Sequence, residues 1–179
     1  LSTTLASETN FQQLLKCLLS ELQEVTHASG GIIYLYNSDK LALQPAQAQW
    51  DGNFLPASDS LGDVAYPASS AHPMQLVLQQ PDNTVEIDAA LMQQWFPSLG
   101  SVSSKMTLLA LPLNDRKGLL LGVLLLFVDE QRQPLNAELK GFARALSGTA
   151  AVALHTQSLI EEQKNLLEAF IQLLAGAID

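Results

Sequence analysis

Eleven consecutive residues, Gly118-Leu-Leu-Leu-Gly-Val-Leu-Leu-Leu-Phe-Val128, carry no polar side chain, and they constrain the fold of this 179-residue chain more than any other segment. The run is too short to cross a bilayer, which takes roughly 20 apolar residues. It follows Met106–Leu113 and the polar turn Asn114-Asp115-Arg116-Lys117-Gly118, so the pair reads as a β-hairpin. A strand with one wet face alternates apolar and polar residues, and this one does not alternate, so both of its faces must be covered. A sheet with a layer above and a layer below is therefore required. Helices can supply one layer. The only remaining chain for the other is the irregular stretch from Asp51 to Lys105, broken by Pro56, Pro67, Pro73, Pro81 and Pro97. A sheet roofed by loops and short helices is where a cavity can form.

Phe11, Leu15, Leu18, Leu22 and Val25 alternate spacings of four and three, which predicts a helix over 11–25 with Asn10 as N-cap and Gln13 completing a capping box. Gly30-Gly31 is expected to stop it. Ile32–Tyr36 and the segment from Leu41 to Trp50 predict a first hairpin around the turn Asn37-Ser38-Asp39-Lys40. Within the irregular stretch the pattern predicts a short helix near Leu61–Ala71, a strand over Met74–Gln79 and a helix from Val85 to Trp95. The last element opens at Asn136, a ready N-cap, with Glu138 in the first turn. Leu139, Leu146, Ala153, Ile160, Leu167 and Leu174 then recur every seven residues, and one helix of about 40 residues follows. Its companion seam is apolar at Ala143 and Ala150 but polar at Thr156, Gln157, Gln163 and Lys164. The globular part is expected to span residues 1–155, with 156–179 a linker helix. The abrupt ends at Leu1 and Asp179 read as those of a piece of a longer protein, with an output domain beyond. The fold class is α+β: an antiparallel sheet, helices on one face, loops and short helices on the other, and a long C-terminal helix.

Charge narrows the function. The formal net charge is −9, from 9 basic and 18 acidic side chains. A phosphate backbone or an anionic membrane is repelled by such a chain, so neither nucleic acid nor membrane is an expected partner. One cysteine, Cys17, excludes a disulfide framework, and with no export signal a cytoplasmic location is the expectation. No basic residue occurs between Lys40 and Lys105, while Asp51, Asp59, Asp63, Asp82, Glu86 and Asp88 do. A ligand held there should be small and neutral or weakly charged, because burying a phosphate without a cation costs more than helix N-terminal amides return.

The order of elements, with Leu109-Ala-Leu111-Pro112-Leu113 followed by Gly118 to Phe127, resembles the GAF domain, the small-molecule sensing relative of PAS domains. The resemblance covers residues 10 to 155. It implies a non-catalytic sensory module that dimerises and signals to an output domain. Leu166 to Asp179 is similar to the opening helix of HD-GYP phosphohydrolases, which hydrolyse cyclic di-GMP at a di-metal centre. That likeness implies such an output, with a histidine kinase or cyclase as the alternative. A ligand-free dimerisation scaffold is the alternative role for the domain itself.

No metal site or cofactor is expected within the chain. His27, His72 and His155 are far apart, and none is followed by a His or carboxylate three or four residues on. His72, beside Pro73 at the edge of the expected cavity, is the one candidate for an axial haem ligand of the kind some GAF domains use. Cys17 lies mid-helix beside Lys16, without a histidine or helix N-terminus to activate it as a nucleophile or pigment anchor. Asn114, Lys117, Phe127, Asp129 and Glu130 resemble the signature of cyclic-nucleotide-binding GAF domains, but with altered spacing. Of the large side chains in the irregular stretch, Trp50, Tyr66 and Trp95 are the expected cavity liners, with Phe54, Met74, Met92 and Phe96 filling space. A parallel homodimer through the terminal helices is expected, with Leu15, Leu18, Leu22, Ile160 and Leu167 at its interface.

Overall fold

The computed structural model describes the backbone of residues 2–56, 61–66, 72–100, 102, 105–132 and 134–178, and side chains over the same ranges from residue 10 to residue 177. In chain order the elements are α1 (Ser2–Thr26), β1 (Gly30–Asn37), β2 (Ala42–Trp50), β3 (Asn53–Leu55), β4 (Val64–Ala65), α2 (Pro73–Leu78), β5 (Thr84–Ile87), α3 (Ala89–Trp95), β6 (Met106–Asn114), β7 (Leu120–Val128) and α4 (Ala137–Ile178). The seven strands form one sheet in the order β3-β2-β1-β7-β6-β5, with β4 paired to β2, and every pairing is antiparallel.

The apolar run lies at the centre, where β7 is flanked by β1 and β6. Its side chains divide as a pleated strand requires. Val123, Leu125 and Phe127 join Ile32, Tyr34 and Leu108 beneath a roof built from α2 and α3. Leu124, Leu126 and Val128 pack on the other side with Leu15, Leu19 and Leu22 of α1 and Ala143, Ala150 and Leu154 of α4. Burying each of these large aliphatic side chains contributes about 1.5–3 kcal/mol, so the two-sided strand holds both layers to one sheet. Gly122 lets β7 lie close against β1, since a Cβ there would strike the carbonyl oxygen of Tyr34.

Several elements differ from expectation. α1 starts at Ser2, which places Asn10 inside the helix instead of at its cap. It stops at Thr26, whose hydroxyl donates to the Leu22 carbonyl at 2.6 Å, and His27 turns the chain with a left-handed φ of 53°. Gly30 and Gly31 are strand residues: Gly31 makes room for Leu19 and Leu126, and Gly30 for the Trp50 ring. The expected strand over Met74–Gln79 is the helix α2, because Pro73 at its first position and the His72 cap favour a helix start. The expected helix over Val85–Trp95 begins only after Asp88, whose carboxylate accepts from the Leu91 amide at 2.9 Å. The preceding Thr84–Ile87 pairs with β6. Of the expected helix near Leu61–Ala71, Val64–Ala65 is a strand on β2, and residues 67–71 lie outside the described residues. The long final helix is as read, capped by Asn136 accepting from the Leu139 amide at 2.9 Å.

α1 and α4 pack side by side on one face of the sheet. Leu15 and Leu22 are fully buried and Leu18 is 5% exposed within this single chain, so the seam expected at a dimer interface is consumed inside the protomer. Ile160 and Leu167 are exposed instead, at 47% and 59%. The inward positions of α4 are Ala143, Ser147, Ala150 and Leu154, four or one residues after members of the sevenfold series, and the small side chains of the first three bring the helix close to its support. Leu154 is the last buried residue of the helix.

Candidate functional site

The roof is mostly filled. Tyr34, Met74, Val77, Met92, Phe96 and Phe127 occupy the space between sheet and short helices, each 2% exposed or less. Phe96 and Phe127 meet edge to face at 5.0 Å between centroids, and Trp50 meets Phe127 at 5.8 Å. Burial pushes the Tyr34 phenol up, so it stays protonated. Gln75 ties α2 to β4 by donating from its amide nitrogen to the Ala65 carbonyl.

His72 stands at the edge of this packing. Its Nδ1 accepts from the Met74 amide at 3.1 Å, capping α2. Its ring meets Trp95 at 5.0 Å and Phe96 at 5.6 Å. Burial pulls its pKa down to about 4, so the imidazole is neutral at physiological pH and its Nδ1 lone pair serves the cap.

Space remains at the end of the roof beside the β6–β7 turn. There Tyr36, Tyr66, Leu78, Pro112, Asn114 and Leu120 border a pocket of about 460 Å³, with no charged side chain in its lining among the described residues. Tyr36 and Tyr66 meet edge to face at 5.9 Å. A smaller cleft of about 130 Å³ lies beneath α3, between Met92, Phe96 and Gly100. Of the three expected liners, only Tyr66 borders the larger pocket. Trp50 is a packing residue, seated where a Cβ on Gly30 or Gly100 would run into its ring, and Trp95 lies against His72. Tyr36 is the residue the sequence reading missed. It stands two positions beyond the buried Tyr34 and so on the same face of β1, a signal that was available.

The resemblance to a cyclic-nucleotide signature is not a site. Asn114 and Lys117 lie at one end of β7, and Asp129 and Glu130 at the other, nine strand residues and so about 30 Å away. Phe127 is buried in the core, and Glu130 accepts from the Thr107 hydroxyl at 2.8 Å. Cys17 is exposed on α1. Among the described residues no group of three or more His, Cys, Asp or Glu could hold a metal ion, and no helix is long and apolar enough to cross a membrane.

A central antiparallel sheet, with paired helices on one face and a small-helix roof with a pocket on the other, defines an α+β domain of the PAS-like class. The chain belongs to the GAF domain family, whose sequence profile matches residues 10–154. No curated protein matches it as a relative. Among solved structures it is similar to the GAF domain/HD domain protein from Geobacter sulfurreducens, at 17% identity over 87% of this chain and 98% of that one, with a TM-score of 0.59. It is similar also to the GAF domain of a phosphoenolpyruvate-protein phosphotransferase from Coxiella burnetii, at 16% identity over 89% and 94%, TM-score 0.59. The GAF domain of PixJ from Thermosynechococcus elongatus, in its blue-light absorbing form, matches at 14% identity over 92% and 96%, TM-score 0.59.

Proposed function

We propose that this GAF domain is a non-catalytic regulatory module that pairs with a second copy along α4, in parallel, and passes changes in the roof to an HD-type phosphohydrolase output. The observation that carries the pairing is the bare half of α4. After Leu154, Ile160, Leu167 and Leu174 recur every seven residues and are 47%, 59% and 49% exposed, and Phe170 and Ile171 lie exposed among them. An apolar stripe at that spacing supports a two-stranded coil. Light scattering at tens of micromolar should give a dimer, and Ile160→Asp or Leu167→Asp should each shift it toward monomer while leaving the fold intact. A monomeric native chain refutes the pairing. Leu18→Asp is expected to unfold the protomer instead, since it puts a charge into the intrachain core.

The output rests on the likeness of residues 166–179 to the first helix of HD-GYP enzymes and on the GAF/HD architecture named for the Geobacter protein. These 179 residues contain no adjacent His-Asp pair and should hydrolyse no cyclic di-GMP. The output reading is tested on a chain extended past residue 179, where the lack of such a pair and of hydrolysis refutes it. The ligand follows from the lining of the tyrosine pocket, whose uncharged walls suit a small neutral molecule. Calorimetry with cyclic AMP, cyclic GMP and cyclic di-GMP should register no binding, and micromolar binding of any of them overturns this reading. A dimer that binds nothing in the pocket would be the scaffold.

A further inference from the structure

A second concavity lies on the other side of the sheet from the tyrosine pocket. The Gln47 side chain reaches α1, donating from Nε2 to the Gln12 amide oxygen at 2.6 Å, and Gln49, two residues on, shares that face. Beside Gln49, where α1 ends and β2 turns into β3, a groove of about 660 Å³ is bordered by Glu24, His27, Ser29, Gln49, Asp51 and Arg132. That volume falls within the roughly 300–1,000 Å³ of small-molecule sites. The frame is fixed by backbone: the Asp51 amide donates to the Ser29 carbonyl at 2.8 Å, and His27, Asp51 and Gly52 hold left-handed φ angles of 53°, 50° and 81°.

Two features mark the groove as more than a surface dent. Gln49 is 5% exposed, and its Oε1 is buried with no hydrogen-bond partner among the described residues. Buried acceptors are nearly always satisfied, so this one wants a donor. Secondly, Glu24, Asp51 and Arg132 border one groove, yet none is ion-paired with another described residue. The acids do not gather as a metal cage either. Opposite charges that share a groove without neutralising one another are matched by a ligand carrying both signs.

We infer that this groove binds a free α-amino acid, with a cationic side chain preferred. Arg132 takes the carboxylate, for which a guanidinium offers a two-pronged donor. The α-ammonium donates to Asp51 and, once the Gln49 amide turns outward, to its Oε1. The groove holds two carboxylates against one guanidinium, so a second ammonium or a guanidinium on the ligand balances Glu24. Glu24, Asp51 and Arg132 are all exposed and therefore screened, so weak binding is expected, with a Kd of about 1 mM.

The test is calorimetry, with amide chemical shifts to place the site, using L-lysine, L-arginine, L-alanine, L-glutamate, lysine methyl ester and putrescine. Lysine and arginine should bind more tightly than alanine, and glutamate least. The ester and putrescine, which lack a free carboxylate, should bind at least tenfold more weakly than lysine. Shifts should cluster at Ser29, Asp51 and Gly52. Arg132→Gln should weaken lysine at least tenfold. Gln49→Leu should also weaken it while leaving the unfolding midpoint unchanged or higher, because the orphaned acceptor is gone. The inference is overturned if no amino acid binds by about twenty times the expected Kd, if ester and putrescine bind as well as lysine, if Gln49→Leu retains full binding, or if the shifts gather at Tyr36 and Tyr66. None of these outcomes depends on whether α4 pairs, which light scattering reads separately.

Discussion

Phe127→Ala should lower the unfolding free energy by about 4 kcal/mol, measured by urea denaturation. The ring is fully buried near the end of the central strand and meets Trp50 and Phe96 edge to face. Its removal loses the transfer free energy and leaves a cavity, which together cost about 3–5 kcal/mol for a buried Phe. Each aromatic contact adds about 0.5–1.5 kcal/mol beyond area. Two rigid neighbours anchored on β2 and at the end of α3 limit how far the site can collapse, so the upper part of the range applies. Domains of this size are typically stable by about 5–15 kcal/mol, so the loss removes between roughly a quarter and four fifths of the stability. Phe127→Leu, which keeps most of the volume, should cost less than half as much. A loss under about 1 kcal/mol for Phe127→Ala would show that the strand does not hold the roof.

Acidification should loosen the roof before carboxylates begin to protonate. His72 is neutral in the folded chain with a pKa near about 4, against an ordinary value of 6.5, because burial disfavours the cation. The unfolded chain thus binds the proton first. The His72 contribution is fully present above pH 6.5, and stability falls between pH 6.5 and pH 4 as the unfolded state gains its proton. The shift sets a ceiling of about 3 kcal/mol, and solvent reaching the half-buried ring trims this to about 2 kcal/mol. Attraction of an imidazolium to Trp95 and Phe96 would act the other way, by about 0.5–2 kcal/mol. Burial of the ring is the cause of the downward shift, and the fall in stability is expected to follow it. Protonation at Nδ1 would also remove the acceptor that caps α2. His72→Asn keeps a capping oxygen and cannot titrate, so its stability should be flatter with pH over this window. Parallel profiles for the two proteins would refute the assignment.

The parts of the fold that could be read from sequence are those with a long period. β6, β7 and α4 each carry a pattern over eight or more residues, and all three stand where expected. The roof could not be read in this way, because its elements run seven residues or fewer and their identity depends on partners. Val85 and Ile87 suit a strand or a helix equally, and pairing of Thr84–Ile87 with Met106–Leu109 decides it. Met74 to Leu78 is apolar enough for a strand, and a cap together with Pro73 makes it a helix. At the site, Tyr66 was recognisable as a large side chain in the right stretch. Trp50 was misjudged because the two glycines that seat its ring, Gly30 and Gly100, are far apart in sequence. The groove beside Gln49 left no sequence signal, since its residues come from α1, β2 and the loop after β7. A repeating apolar seam shows that something covers it, not which chain does so. Leu15 and Ile160 both belong to such seams, and one is core while the other is surface.

Between Leu154 and Ile178 no described side chain of the last helix is buried, and residues 155–175 contain neither proline nor glycine. That span is about 35 Å long and has no built-in joint. It therefore behaves as a lever with its fulcrum at Leu154. A tilt of about 10° there would sweep the far end by about 6 Å, more than the spacing of roughly 4.8 Å between neighbouring strands. Displacements at the sheet face too small to break any packing contact would thus arrive at the tip enlarged to the scale of a whole structural element.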